Sequence, residues 1–321
     1  MSQQSNLEKI MRDTHNQSFD EWVKNFAINL PDIWNDSSIN ELISNSKDNK
    51  KSSAIVIGRG PSIDKLNHLK LLSESNYKGK IICCDGKLID TLKAGITPDK
   101  FPNFFVTTIE PYDVIKQHYD DKIVDEFGSK INGLFTTIAN PNTVKRARDS
   151  GMKINWFHSL FDYNEGKKSF NQISALMVRA KNHSHGLPAI QTGGNVGTSS
   201  WFIAWKIFKC QTVCLIGINH AWEEDDSWEK ILSHGNFYDI SKISKKKNPS
   251  FKKLFKKIHN PDFRSNCILD PIFQFYSMAL KEFISRSPNW LTTINATGGG
   301  SIFGNRILSM DFQDFLKEYQ N

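Results

Sequence analysis

The stretch Ala54-Ile-Val-Ile-Gly-Arg-Gly-Pro-Ser62 decides the fold of this chain, because a run of apolar residues leads directly into a glycine turn. Four apolar residues bounded by glycine are typical of a parallel strand that is covered on both faces. The glycines let the backbone turn sharply, and Pro61 fixes the start of a following helix. Phosphate-binding loops have this arrangement, since a helix N-terminus offers unpaired N–H groups. Neither a Walker-type loop nor a G-x-G-x-x-G fingerprint is complete here, so a simple strand–helix turn is the alternative.

The rest of the chain repeats this alternation of apolar strands and helices. Such alternation predicts an α/β fold with a Rossmann-like, doubly wound and mostly parallel sheet. The predicted strands are 54–57, 80–84, 103–109, 133–138, 153–156, 212–216 and 290–295. The predicted helices are 63–73, 88–93, 141–150, 196–209, 271–285 and 312–319. Ligands of such folds bind at the carboxyl ends of the strands.

Two regions stand apart from this pattern. Residues 1–50 are amphipathic and end in a polar run, so we expect a helical N-terminal extension ahead of a sheet domain at 51–321. A Lys-rich insertion lies near 223–260, and its residues 241–257 carry eight lysines and no acid. Phe251, Leu254 and Phe255 lie among these lysines. This pattern indicates either a solvated lid or a basic amphipathic helix that contacts an anionic membrane surface.

Composition excludes several classes of protein. The 321 residues are 39% hydrophobic and 23% charged, which is typical of a folded soluble protein. No apolar run approaches the roughly 20 residues of a membrane span, and the polar first residues do not resemble a signal peptide. We therefore expect a cytoplasmic protein. The net charge of +7 comes largely from the lysine segment, and no nucleic-acid-binding fold accompanies it, so no nucleic-acid partner is expected.

Acidic residues follow two of the predicted strands. Asp85 lies at the end of strand 80–84, and Glu110 lies at the end of strand 103–109. If the strands are parallel, both carboxylates converge on one edge of the sheet. Mg²⁺ is commonly held by one or two carboxylates together with phosphate oxygens and water. Asp85 and Glu110 are therefore predicted metal ligands and catalytic residues, although each could instead cap the next helix.

A second glycine loop precedes the predicted helix at 196. The segment Gln191-Thr-Gly-Gly-Asn-Val-Gly-Thr198 offers free N–H groups and hydroxyls, and it predicts a second anion-binding loop. Its predicted binding residues are Thr192, Gly193, Gly194, Asn195 and Thr198. The alternative is that Gly197 only allows close packing of helix and sheet. Strand 212–216 runs on to Asn219 and His220, and Ile294-Asn-Ala-Thr-Gly-Gly-Gly-Ser301 is a third strand that leads into glycines.

Together and in order, these motifs resemble the MptE-like family, whose named member is the archaeal 6-hydroxymethyl-7,8-dihydropterin diphosphokinase. The motifs are I-V-I-G-R-G-P-S, C-D-G-K-L, G-I-T-P-D, V-T-T-I-E-P, T-G-G-N-V-G-T-S, V-C-L-I-G-I-N and I-N-A-T-G-G-G-S. The resemblance implies a nucleotide-binding transferase, a kinase that moves diphosphate from ATP to a pterin hydroxymethyl group with Mg²⁺ and releases AMP.

The resemblance also implies roles for single residues. Gly58, Gly60, Pro61 and Ser62 would lie under the phosphates, while Asp85 and Glu110 would bind Mg²⁺. Thr108 stands where the diphosphokinases have the first aspartate of their D-x-D pair. Phosphoryl transfer depends on positioning and charge neutralisation, so this departure weakens the kinase hypothesis.

Two alternatives remain open. Motility accessory factors, which are larger MptE-like relatives, are associated with sugar modification of surface proteins, and Campylobacter-type sialyltransferases resemble this arrangement in their G-x-G-P-S loop. These resemblances imply a glycosyltransferase that uses a nucleotide-activated sugar. His220 or His234 would then act as general base or acid near neutral pH. A nucleotide-binding module without chemistry is the other alternative, since Thr108 and Asn219 replace acids of the relatives. In every version the partners are a nucleotide and, for an enzyme, a small-molecule acceptor; the oligomeric state is left open.

Overall fold

The computed structural model describes residues 3–43, 52–160, 169–171, 174, 187–232 and 254–319. Its strands, in chain order, are β1 (Ser37–Ser38), β2 (Ser53–Ile57), β3 (Lys80–Cys84), β4 (Phe104–Thr108), β5 (Asn132–Thr136), β6 (Lys153–Leu160), β7 (Ala189–Gln191), β8 (Thr212–Ile216), β9 (Trp222–Glu223), β10 (Lys256–Asn260), β11 (Ser265–Leu269), β12 (Thr292–Asn295) and β13 (Ile307–Ser309).

Ten of these strands form one parallel sheet. Its order is β1-β6-β5-β4-β3-β2-β8-β12-β13, and β7 pairs with the end of β6. From β2 the chain winds outward through β3 to β6, and it then returns to place β8 on the other side of β2. The topological switch point therefore lies between β2 and β8, and ligands of doubly wound sheets bind outside such a point. The predicted α/β fold is confirmed.

Helices cover both faces of the sheet. They are α1 (Gln3–Asn35), α2 (Ser62–Lys65), α3 (His68–Glu74), α4 (Leu88–Lys93), α5 (Lys122–Phe127), α6 (Pro141–Asp149), α7 (Val196–Phe202), α8 (Trp228–Leu232), α9 (Pro271–Ser285) and α10 (Phe312–Glu318). The helix predicted at 63–73 is two helices, because Asn67 takes a left-handed conformation with φ of 51°. α7 continues as a π-helix over Ile203–Ile207, and Lys209, with φ of 57°, follows it.

The central strands are buried on both faces. In β2, Ile55 and Ile57 belong to one apolar cluster, whereas Ala54 and Val56 belong to the cluster on the opposite face. This division follows from the two-residue period of a strand. Each fully buried aliphatic side chain contributes about 1.5–3 kcal/mol, so the clusters fix both the register of the sheet and the level at which its strands end.

Helix α1 packs into the same core as the sheet. Trp22, Phe26 and Ile33 are buried in the cluster that also contains Ile55. Asn25 donates hydrogen bonds to the carbonyl oxygens of Pro111 and Ile138, and Asn29 donates to those of Thr137 and Ala139. The predicted N-terminal helix is therefore present, and it holds the loops that follow β4 and β5. The domain boundary near residue 50 stays a prediction.

A small antiparallel sheet stands beside the large one. Its order is β10-β11-β9, and Phe255 packs there against Ile231 and Ile268. Most of the lysine-rich segment lies outside the described residues. At its described end, Lys256 and Lys257 belong to strand β10 and Phe255 is buried, so the alternative of an amphipathic helix does not extend to these residues. Contact with a membrane surface stays a prediction. Within the described residues, no helix has both the length and the apolarity to cross a bilayer.

The Asn29 contacts predict a cost of removing that side chain. In Asn29→Ala two buried carbonyl groups lose their donor, and the free energy of unfolding should fall by about 1–3 kcal/mol. Urea unfolding measures this loss. Lys24→Ala, on the exposed side of the same helix, is the control and should change the unfolding free energy by less than about 0.5 kcal/mol. Equal losses in the two variants would contradict the anchoring role of Asn29.

Candidate active site

Two loops meet at the switch point at backbone contact distance. The Gly58 N–H donates to the carbonyl oxygen of Ile216, and the Gly60 N–H donates to that of Gly217, both at 2.8 Å. A Cβ on Gly58 would lie 2.3 Å from the Gly217 carbonyl oxygen, and one on Gly60 would lie 2.3 Å from Asn219 Oδ1. Side chains cannot fit there. The glycines of the opening stretch therefore allow the loop after β2 to pack directly on the loop after β8.

This packing changes how the predicted phosphate loop can work. The N–H groups of Gly58 and Gly60 are already engaged by carbonyl oxygens, so they are not free for a phosphate. The Ser62 hydroxyl is buried and donates to Asn219 Oδ1 at 2.9 Å. Pro61 occupies the N-cap position of the four-residue helix α2. Phosphate binding by Gly58, Gly60, Pro61 and Ser62 stays a prediction. In the structure Gly58, Gly60 and Pro61 form part of the wall of a cleft.

The cleft runs along the carboxyl ends of β4, β3, β2 and β8 and has a volume of about 870 Å³. One strand after another supplies its polar lining, with Glu110 after β4, Asp85 after β3, Arg59 after β2 and Asn219 after β8. Aromatic side chains from β9 and α9 close one side. Its lining residues include Gly58, Arg59, Gly60, Pro61, Asp85, Gly86, Glu110, His118, Asn195, Gly197, Asn219, His220, Trp222, Phe273 and Tyr276.

Asp85 and Glu110 face this one cleft, at the same edge of the sheet. Asp85 Oδ1 accepts the Gly86 N–H at 2.7 Å, whereas Oδ2 is buried and has no hydrogen-bond partner among the described residues. Burial raises the pKa of Asp85 to about 6, although the Gly86 N–H, the Thr108 hydroxyl and the charge of Arg59 oppose the rise. Burial, followed by the charge of Asp85, raises the pKa of Glu110 to about 7. The two carboxylates are thus electrostatically coupled.

This pair fits a divalent cation. A buried carboxylate oxygen without a partner, beside a second carboxylate, is a donor set that Mg²⁺ uses when phosphate oxygens and water complete its shell. Among the described residues no group of three or more His, Cys, Asp or Glu side chains forms a metal cluster. Thr108, in the position of the missing aspartate, is buried with its hydroxyl 2.5 Å from that of Tyr119.

Arg59 is a site residue that sequence reasoning missed. Its exposed guanidinium lines the cleft, and within the described residues no carboxylate forms a salt bridge with it. The two lysines that line the cleft are paired with acids, Lys65 with Glu223 and Lys230 with Asp226. Arg59 is therefore the cation left for an anionic ligand. Its position between the two glycines of the opening stretch was the available signal, because a rigid loop fixes the residue that it presents.

His220 lies in the cleft but does not suit the role predicted for it. The residue is buried in a left-handed conformation, with φ of 41°, and Nδ1 has no partner in the described part of the chain. Burial lowers its pKa to about 3, so the ring is neutral at pH 7 and is a weak base. The catalytic role of His220 stays a prediction, and the low pKa argues against a change of its charge near neutral pH. His234 lies outside the described residues.

The second glycine loop is closely packed against its surroundings, and its predicted role in binding stays a prediction. A Cβ on Gly194 would lie 2.7 Å from the Tyr276 ring, and one on Gly193 would lie 3.0 Å from Thr198. Asn195 caps α7, because its Oδ1 accepts the Thr198 N–H at 2.9 Å. Of the predicted binding residues in this loop, Asn195 lines the large cleft. Thr192 and Gly194 line a separate pocket of about 80 Å³ beside Glu110.

The third glycine loop forms a further pocket next to the cleft. Gly298, Gly299 and Gly300 line this pocket, which has a volume of about 290 Å³. Ser301 holds the loop after β8, since its N–H donates to the Asn219 carbonyl oxygen and its hydroxyl to that of His220. Cleft and pocket share four lining residues, which are Lys65, Asn219, Ala221 and Trp222. The two cavities are therefore adjacent.

Comparison with known proteins gives two positive results. A family model described as "6-hydroxymethylpterin diphosphokinase MptE-like" matches residues 24–225. Among solved structures, the MAf glycosyltransferase from Magnetospirillum magneticum AMB-1 is similar, with a TM-score of 0.59 and 16% sequence identity. That similarity covers 94% of this chain and 41% of the other, so it shows a shared fold over about two fifths of the larger protein. No curated protein matches the sequence.

The contact between the loops after β2 and β8 predicts that a methyl group added at Gly60 lowers the free energy of unfolding. Gly60→Ala should lower the unfolding free energy by about 1–3 kcal/mol, because its Cβ overlaps Asn219 Oδ1 and the Gly217 carbonyl. Gly299→Ala is the control, since its Cβ would meet only the Ser265 side chain, at 3.1 Å from the hydroxyl oxygen. Calorimetric melting of both variants measures the difference. A Gly60→Ala protein as stable as the control would show that the loops are not in contact.

The raised pKa of Asp85 predicts how stability depends on pH. The folded protein holds this proton up to about pH 6, whereas the unfolded chain releases it near 3.8, so stability falls as the pH rises through this interval. Between pH 4 and pH 7 the free energy of unfolding of the wild type should fall by about 2–3 kcal/mol relative to that of Asp85→Asn. Urea unfolding at four pH values measures it. The exposed Asp225→Asn is the control, and a wild type that tracks Asp85→Asn at all pH values would refute the shift.

Proposed function

We propose that this chain, which belongs to the MptE-like family since the family model matches well over half of it, is a glycosyltransferase that uses a nucleotide-activated sugar. One observation carries this proposal. The coupled carboxylates of Asp85 and Glu110 share a cleft with Arg59, which is the unpaired cation of its described lining. The fold shared with a glycosyltransferase is consistent with the proposal but does not establish it.

The charge balance of the cleft favours a sugar donor over ATP. A diphosphokinase must neutralise a triphosphate, and known phosphoryl-transfer sites use a lysine or arginine set together with metal ions for this purpose. Here Lys65 and Lys230 are neutralised by acids, which leaves the single guanidinium of Arg59. A sugar nucleotide carries one or two phosphates, fewer than ATP, between a nucleoside and a sugar. One arginine in a cleft with polar and aromatic walls suits that distribution of charge.

The order of the strands suggests how the donor lies. Neighbouring strands are about 4.8 Å apart, so the end of β4 lies about 10 Å from that of β2, which in turn lies about 10 Å from that of β12. A donor with its phosphate at Arg59 would place the sugar toward Asp85 and Glu110. Its nucleoside would extend toward the pocket lined by Gly298–Gly300. Trp222, which lines both cavities, would flank the nucleoside.

In this arrangement Glu110 acts as general base. Its carboxylate takes the proton of the acceptor hydroxyl while that oxygen attacks the anomeric carbon of the sugar. The bond from the anomeric carbon to the phosphate oxygen breaks, and the electron pair leaves with the phosphate beside Arg59. A pKa of about 7 keeps a large fraction of Glu110 ionised and yet basic at neutral pH. The charge of Asp85 stabilises the positive charge that develops on the sugar.

A diphosphokinase is the second candidate, and the partner-free Oδ2 of Asp85 favours it. Asp85 and Glu110 would hold Mg²⁺, which would supply the charge neutralisation that the cleft lacks for ATP. Thr108 remains the argument against this candidate, because its buried hydroxyl is bonded to Tyr119 where the diphosphokinases carry an acid.

A ligand panel separates the candidates. Thermal melting is measured with CMP, UDP, GDP and ATP, each with and without Mg²⁺. A ligand present at a hundred times its dissociation constant should add about 2.7 kcal/mol of stability. We expect one or more of CMP, UDP and GDP to stabilise the protein without AMP being formed from ATP. Mg²⁺-dependent AMP release from ATP and the pterin alcohol, abolished in Asp85→Asn, would instead establish the kinase.

Two variants assign the roles within the site. Glu110→Gln should bind the stabilising nucleotide normally but lower the release of nucleotide from its sugar conjugate by about 10²–10⁴-fold, because only the base is lost. Arg59→Ala should weaken nucleotide binding at least tenfold, since the phosphate loses its cation. Arg286→Ala, a change on the surface of α9, is the matched control. Full turnover in Glu110→Gln would exclude Glu110 as the base.

A further inference from the structure

His118 lies close to Arg59 in the cleft, and the proposed chemistry does not use it. Gly86 lies between the two side chains. A Cβ on Gly86 would be 3.3 Å from Arg59 Nη1 and 3.6 Å from His118 Nε2. All three residues line the cleft. The Arg59 guanidinium and the His118 imidazole therefore both lie next to Gly86, which has no side chain to separate them.

The fold holds His118 firmly in this place. It belongs to the 3-10 helix Asp113–Tyr119, and the next residue, Tyr119, is buried with its hydroxyl 2.5 Å from that of Thr108 at the end of β4. Just beyond this helix, Asp120 accepts a hydrogen bond from Arg146 of α6. The half-buried ring is thus carried by a segment that is fixed at its end to the sheet and to α6.

The charges around the ring favour an anion. Burial and the charge of Arg59 lower the pKa of His118, so the ring is neutral at pH 7 without a ligand. Asp85 precedes Gly86 in the neighbouring loop. The charged groups of the adjoining helices are engaged elsewhere, Asp90 of α4 by Lys87 and Arg146 by Asp120 and Asp125. An anion between Arg59 and His118 would remove the repulsion between them and favour the protonated ring.

We propose that Arg59 and His118 form one binding site for a phosphate group, and that His118 takes up a proton when the phosphate binds. The site itself depends on neither a nucleotide nor a sugar. Its use rests on the proposed function: as the bond from the anomeric carbon to the phosphate oxygen breaks, the phosphate keeps the electron pair. The imidazolium N–H and the guanidinium would then donate hydrogen bonds to the departing oxygens, while the proton of the acceptor goes to Glu110.

Histidine-selective ¹⁵N labelling with NMR titration tests the site directly. The probe is sulfate at constant ionic strength, because its charge does not change between pH 5 and pH 8.5. The His118 signal is identified by its absence from His118→Gln. We expect its pKa to lie below 6.5 without sulfate and to rise when sulfate is added. Sulfate should accordingly bind at least threefold more tightly at pH 5.5 than at pH 7.5.

Variants make the result specific. His118→Gln should reduce the pH dependence of sulfate binding to the part that comes from Asp85 and Glu110, whose pKa values of about 6 and about 7 lie in the same interval. Arg59→Ala should abolish the response of the His118 signal. His259→Gln, which changes an exposed histidine of β10, should retain both. Sulfate that leaves the pKa of His118 unchanged, or that does not bind, would overturn the proposal. Because no nucleotide or sugar is present, that outcome would leave the glycosyltransferase proposal standing, and a failed nucleotide panel would leave the anion site standing.

Discussion

The close contact between the loops after β2 and β8 is the constraint on which the rest of the site depends. Gly58, Gly60 and Gly217 bring two backbones together where the direction of winding reverses, and any side chain at Gly58 or Gly60 would overlap the opposite loop. Ser62, Asn219 and Ser301 tie this contact to the third glycine loop. Because the join is rigid, Arg59 is held at a defined height above the sheet, next to the acids that follow β3 and β4.

The electrostatics of the cleft follow from its burial. Burial raises the pKa of Asp85, and burial followed by the charge of Asp85 raises that of Glu110, so both carboxyl groups keep their protons to a higher pH than free acids do. Arg59 and His118 lie beside Gly86, the residue that follows Asp85. The cleft therefore has two halves, an anionic one at Asp85 and Glu110 and a cationic one at Arg59. A ligand with a charged phosphate and an electron-poor sugar carbon would compensate both halves, which links the two proposals made above.

Sequence patterns predicted the sheet well because its strands are buried on both faces. The continuous apolar runs at 54–57, 80–84 and 212–216 allow hardly any other structure, and they correctly placed Asp85 and Glu110 on one edge. Glycine-rich loops are harder to interpret from sequence than the strands. Glycine marks close approach, but whether a phosphate or another loop approaches depends on contacts between segments some 160 residues apart, as between Gly60 and Gly217. The binding role of Arg59 and the low pKa of His220 could not be predicted from the sequence for the same reason, since pairing and burial are properties of the assembled fold.

The central claim is that one cleft over β4, β3, β2 and β8 binds the nucleotide. Hydrogen exchange measured by mass spectrometry, with and without a saturating nucleotide that stabilises the protein, tests it most directly, because bound ligand slows local opening of the backbone. We expect slower exchange in peptides that cover 58–66, 84–88, 110–119 and 217–222. Slower exchange confined to segments outside these four, such as 122–152, would contradict it.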